Sequence, residues 1–100
     1  MIRHIILWQL KEEYPAPEKY NVKVRIKQEL EQLQEVISGM PSLKVYIDGI
    51  AYSNADIMLE ASFVDEASLK AYAANPEHAA VAAQYVRPYI QRGVYFDFEV

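Results

Sequence analysis

Two histidines and a set of tyrosines are the side chains of this sequence best suited to move a proton near neutral pH. His78 follows Asn75-Pro76-Glu77, a helix-opening pattern with Asn75 as cap and Pro76 in the first turn. That spacing puts His78 at the third helical position, where backbone amides are unpaired and the helix dipole is positive. A cation is disfavoured there, so the imidazole is expected to stay neutral and able to accept a proton. Tyr72 lies six residues earlier, across the Asn75-Pro76 break. If the two helices turn toward a sheet, its hydroxyl can donate to a carbonyl or enolate oxygen. His4, on the helix-facing side of a first strand, completes the cluster. The chemistry such a cluster suits is proton abstraction beside a carbonyl, with His78 as base and Tyr72 as oxyanion donor. The competing reading is structural: a first-turn His bonded to a backbone carbonyl, a satisfied core His4 and a core aromatic at 72. With eight tyrosines in the chain, a Tyr close to a His carries little weight alone.

Other chemistries find no support. There is no cysteine, which removes disulfides, thiolate metal sites and a thiol nucleophile. The three glycines, Gly39, Gly49 and Gly93, are isolated, so no phosphate-cradling loop exists. The two histidines, with Asp56 or Glu77 as oxygen donors, have no metal-ligand spacing, and neither metal nor cofactor is expected. The net charge is −4, and the one basic cluster, Lys23, Arg25 and Lys27, runs into Glu29, Glu31 and Glu35. This reads as a solvated helix face, and no nucleic-acid partner is expected. No apolar run approaches the ~18 residues of a membrane span. The opening Met1 to Trp8 is too short and interrupted for a signal peptide, so a cytoplasmic location is expected.

The elements that must position these groups follow from periodicity. Residues 2–10 read as a strand apolar on both faces, which suits a central position. A helix is expected from near Glu18, its stripe formed by Val22, Ile26, Leu30, Leu33 and Ile37, with Gly39 and Pro41 stopping it. Tyr20, Val22, Val24 and Ile26 also alternate like a strand, but the later spacing is helical, so the helix is extended backwards. Residues 42–50 and 56–64 read as two strands of a hairpin. Asp65 caps a short helix over 66–74, and a further helix runs from Pro76 to Arg87-Pro88. The last strand, 93–100, alternates Val94, Phe96, Phe98 and Val100 with Tyr95, Asp97 and Glu99.

The order β-α-β-β-α-α-β is the α+β, ferredoxin-like plan, with helices on one face of a four-stranded antiparallel sheet. The other face would expose Trp8 or Leu7, Met58 and Tyr95. With 52% hydrophobic residues in 100, such a face is expected to be hidden against a second copy. A cavity between sheet and helices is expected to be lined by His4, Ile6, Tyr72, His78, Val81, Tyr85 and Phe96, and to suit a small apolar or aromatic ligand.

Four short signatures occur in order: Ile2-Arg3-His4-Ile5-Ile6-Leu7, then Tyr52-Ser53-Asn54-Ala55-Asp56, then Phe63 with Leu69 and Tyr72, then Asn75-Pro76-Glu77-His78. Together they resemble the stress-responsive A/B barrel (Dabb) family across nearly the whole chain. The resemblance implies a homodimer whose two sheets close into an α+β barrel. It does not fix an activity. The family includes stress-induced proteins without assigned chemistry and a plant polyketide cyclase. The cyclase pattern falls on Tyr72, His78 and His4, but where it has a further His this chain has Asp56-Ile57. The first functional reading is therefore a ligand-binding or structural dimer of unassigned activity. The second is a cofactor-independent, cyclase-like lyase or isomerase. The third, by analogy within the barrel superfamily, is a cofactor-free monooxygenase.

Overall fold

Strict alternation in two strands sets the architecture. Ile57, Leu59, Ala61 and Phe63 are buried while Met58, Glu60 and Ser62 between them are not. Facing them across an antiparallel register, Ile2 pairs with Phe63, His4 with Ala61 and Ile6 with Leu59. Side chains directly opposite one another share a face, so the even-numbered residues of the first strand join this buried row. The computed structural model describes all of residues 1–100. Its elements are β1 (Ile2–Leu10), α1 (Ala16–Glu31), β2 (Ser42–Tyr46), β3 (Ile57–Phe63), α2 (Glu66–Ala74), α3 (Pro76–Val81) and β4 (Ile90–Glu99). The sheet order is β2-β3-β1-β4 with every neighbour antiparallel, the ferredoxin-like plan.

Helix α1 starts at Ala16, two residues ahead of Glu18, because Pro15 and Pro17 suit a cap and a first turn. Tyr20 to Ile26 is helical throughout. Ile26, Leu30, Leu33 and Ile37 are buried as one stripe against Leu43, Val45 and Leu59. Beyond Glu31 the chain tightens into a 3-10 turn over Gln32–Glu35. Gly39 then reverses it at φ +76, a region that costs any side-chain-bearing residue about 1–2 kcal/mol. Strand β2 stops at Tyr46 rather than 50, leaving a loop to Ile57.

The edge of β2 is closed by α1. The Val45 N–H donates to Glu31 Oε2 at 3.0 Å, and Lys27 Nζ donates to the Val45 carbonyl at 2.6 Å. Partial burial works to raise the Glu31 pKa, but the bonds from Lys27 and the Val45 amide outweigh it and hold the carboxyl below its ordinary range. Both outward main-chain groups of Val45 are thus satisfied by side chains, which blunts that edge against a further strand.

Strand β4 corrects one expectation. Its register pairs Arg3 with Phe98, Ile5 with Phe96 and Leu7 with Val94. Phe96 therefore lies on the open face and is 69% exposed, not in the cavity. The whole row is out of the expected phase: Tyr95, Asp97 and Glu99 look toward the helix side. The reason is that β4 is an edge strand beyond the helices, so its apolar row serves the bare face instead of the core. Trp8 likewise packs on the core side, opposite Gly93, where an added Cβ would stand 2.8 Å from Trp8 Cδ1. The bare face carries Ile5, Leu7, Tyr46, Met58, Val94, Phe96 and Phe98.

Gly39 packs on α2 as well as turning the chain: an added Cβ would stand 2.6 Å from Ser68 Oγ. Gly39→Ala is expected to lower stability by about 2 kcal/mol, combining backbone strain with this clash. Urea denaturation measures it, and an unchanged midpoint would contradict the assignment.

Candidate functional site

The polar cluster is built where three elements meet. Asp65 caps α2, accepting the Ser68 N–H at 2.8 Å. Asn75 ends α2 and caps α3, its Oδ1 accepting from Glu77 N–H at 2.8 Å and His78 N–H at 3.4 Å. This single shared residue sets the angle between the helices. It brings Tyr72, on the last turn of α2, against His78, on the first turn of α3: their ring centroids are 4.2 Å apart. Tyr72 also packs on Phe63 of β3 at 5.2 Å.

His4 arrives from β1, with its ring 6.2 Å from Phe63 and 6.1 Å from Tyr95. Its cross-strand neighbour on β4 is Asp97, and His4 Nδ1 hydrogen-bonds Asp97 Oδ1. His4 is nearly sealed at 7% exposure. In a neutral imidazole the carboxylate selects the Nδ1–H form, which leaves the Nε2 lone pair free. Nε2 makes no hydrogen bond within the protein.

Burial is the largest cause of shift for two of these groups. It raises the Tyr72 pKa far above the ordinary phenol range, so the hydroxyl stays protonated and can donate. It lowers the His78 pKa, and the nearby His4 and Arg87 push the same way, against the Ala73 carbonyl. His78 Nδ1 is buried and lies by the Ala73 carbonyl without closing a well-formed hydrogen bond to it. That carbonyl favours the charged form without offsetting burial.

These groups open into one cleft of about 760 Å³, lined by His4, Ile6, Tyr72, His78, Tyr95 and Asp97 among others. That is within the range of small-molecule sites. Of the expected lining, His4, Ile6, Tyr72 and His78 come together. Val81 is turned into the core. Tyr85 lies against α1, its hydroxyl accepting from Arg25 Nη2 at 3.3 Å. The cause is a π turn over Ala82–Val86. It breaks the 3.6-residue period and takes Tyr85 off the stripe that His78 and Val81 begin. Asp97 was not among the expected site residues. Its signal was present in the polar row Tyr95, Asp97, Glu99, once that row is placed toward the helices. Asp56, near where the cyclase pattern has a His, has a different task. Its carboxylate accepts the Leu10 N–H at 2.7 Å and ties β1 to β3. No group of three or more His, Cys, Asp or Glu side chains is arranged to hold a metal ion.

The lowered His78 pKa makes stability depend on pH. Above the ordinary value of 6.5 the imidazole is neutral in both folded and unfolded chains, and nothing is lost. As pH falls below it, the unfolded chain takes up the proton first, so stability drops. His78→Gln is expected to flatten this slope between about pH 6.5 and about pH 5, a window about one and a half units wide below the reference pKa of histidine. Urea titrations across that window measure it, and an unaltered slope would contradict a buried, neutral His78.

The family model for the stress responsive A/B barrel domain matches residues 2–100. No curated protein sequence matches the chain. Among solved structures, the chain is similar to a dimeric ferredoxin-like protein of unknown function from Bacteroides fragilis. The TM-score is 0.91 at 26% identity, covering 99% of this chain and 95% of that one. A dimeric ferredoxin-like protein of unknown function from Thermobifida fusca gives 0.80 at 25% identity, covering 99% and 90%. A hydroxynitrile lyase from Passiflora edulis gives 0.77 at 16% identity, covering 99% and 92%, a likeness of fold alone. No helix is long and apolar enough to cross a membrane. With the family model spanning all but the first residue, the chain belongs to the stress-responsive A/B barrel (Dabb) domain family.

Proposed function

We propose that the protein is a homodimer that binds a small carbonyl compound in the His4–Tyr72–His78 cleft and transfers a proton at the adjacent carbon, without a cofactor. The observation that carries this reading is the pairing of His4 with Asp97 at the wall of an open cleft. A carboxylate that orients an imidazole and leaves its other nitrogen unbonded is the arrangement of a general base. The proton leaves the substrate carbon for His4 Nε2, and the electron pair moves onto the carbonyl oxygen. Tyr72, kept protonated by burial, donates a hydrogen bond to that oxygen. His78 packs its neutral ring on that of Tyr72 and holds the phenol ring in place. The first-turn position of His78 suggests that residue as base; what favours His4 is its carboxylate partner, Asp97, which His78 lacks. The Passiflora lyase of the same fold is in keeping with carbonyl chemistry in this architecture.

The bare sheet face is the proposed subunit interface. Phe96 and Phe98 stack at 5.8 Å there, and with Val94, Leu7 and Met58 they form an apolar patch that water alone would cover. Structurally similar proteins are dimeric. Phe96→Glu is expected to convert the dimer to monomer at micromolar concentration, read by sedimentation equilibrium. A persisting dimer would place the interface elsewhere.

The chemistry is tested by deuterium exchange at the benzylic carbon of phenylacetone, followed by NMR in deuterated buffer. The wild-type chain is expected to accelerate exchange over buffer. His4→Ala should remove the acceleration, a loss of roughly a hundredfold or more, and Asp97→Asn should remove most of it. His78→Ala should leave more activity than His4→Ala. Loss confined to His78→Ala would return the base role to His78, and no acceleration by the wild type would remove the enzymatic reading for ketones of this class.

A further inference from the structure

Most charged groups of this protein either face water or have a partner. Arg3 has a nitrogen that does neither, and Glu60 is half-buried with no ion-pair partner. They sit on the two central strands of the bare sheet face. Arg3 stands opposite Ser62, and Glu60 stands opposite Ile5, two residues along the same row. The two are therefore diagonal neighbours surrounded by Ile5, Met58 and Phe98. Both are half-buried already in the single chain. Arg3 Nε is sealed from solvent and has no hydrogen-bond partner. Neither residue takes part in any of the ion pairs of the subunit.

Other charges on this face are placed differently. Lys44 stands opposite Glu60 on the edge strand β2, but its ammonium lies over the Tyr46 ring at 5.2 Å. Arg92 lies at the far edge, on β4, and is exposed. The centre of the face thus holds a cation with one sealed, unbonded nitrogen and a half-buried anion outside every ion pair, and the edges hold further cations. Covering such a centre with an apolar partner would strand both charges at high cost. Covering it with a second copy across a two-fold axis need not. In an isologous interface, if residue i meets j of the other copy, then j meets i.

We propose that Arg3 of each subunit pairs with Glu60 of the other across the two-fold axis, and that these reciprocal ion pairs fix the register in which the two sheets meet. This rests on the reading of the bare face as the dimer interface. The apolar row supplies area without direction, because greasy strands slide past one another at little cost. Two buried charge pairs supply direction, because any other register leaves four unpaired charges.

The test uses charge reversal and mixing. Arg3→Glu and Glu60→Arg are made separately in the full chain, with circular dichroism reporting whether each is folded. Each homodimer would then set like charges against each other twice, and its dissociation constant should rise by roughly a hundredfold or more. Mixing the two variants in equal amounts should restore a heterodimer of near wild-type affinity, since both contacts are then complementary. A pair within one subunit cannot be rescued by mixing, so this result separates contact across the interface from contact along the sheet. Reversed variants that dimerise like the wild type overturn the proposal. So does a mixture that binds no more tightly than its components. If a reversed charge prevents folding, Arg3→Met and Glu60→Met replace it, singly and together. Effects on the dissociation constant that simply add would then overturn the pair, and coupling of tenfold or more would support it. Phe96→Glu separates this from the parent reading. If it dissociates the dimer while mixing fails, the ion pair falls and the interface stands. If the dimer survives it, both fall.

Discussion

The antiparallel pairing of β1 with β4 is the contact on which the rest depends. One register puts Asp97 opposite His4 and Gly93 opposite Trp8, and it sends Phe96 and Phe98 to the far face. A shift by one residue would exchange the two rows of β4. Asp97 would then face the bare surface, a phenylalanine would meet His4, and neither an oriented imidazole nor an apolar interface would remain. The candidate site and the proposed dimer face are thus two sides of one strand pairing. Gly93 favours this register sterically, since an added Cβ would stand 2.8 Å from Trp8 Cδ1 and force the indole to move.

The helices reinforce the division. Helix α1 covers β2 and β3 and closes the β2 edge through Lys27 and Glu31. Helices α2 and α3 are short and meet at Asn75, so they leave the helix side of β4 uncovered. The cleft exists because this cover is incomplete. Burial raises the Tyr72 pKa and lowers that of His78, which keeps both uncharged. A neutral imidazole beside a protonated phenol is the combination that proton transfer to and from carbon requires.

Much of this was legible in the sequence. The helical stripe Val22 to Ile37, the cap at Asn75 and the alternation of β1 and β3 gave the element order and the meeting of Tyr72 with His78. Three features were not legible, each for a physical reason. The phase of β4 was inverted, because apolar alternation marks a covered face without saying whether helices or another sheet cover it. Tyr85 left its stripe because a π turn adds a residue to one winding, which no side-chain pattern announces. Asp97 escaped notice because a cross-strand partner 93 residues away is a matter of register, and register is fixed by packing rather than by spacing along the chain.

The most direct test of the central claim is the tautomer of His4, read from long-range proton–nitrogen NMR correlations of the histidine rings near pH 8. The β1–β4 register predicts an Nδ1-protonated His4 whose Nδ1 proton resonance moves when Asp97 is replaced by Asn. An Nε2-protonated ring, or an Nδ1 signal indifferent to Asp97→Asn, would contradict the pairing from which both the site and the interface follow.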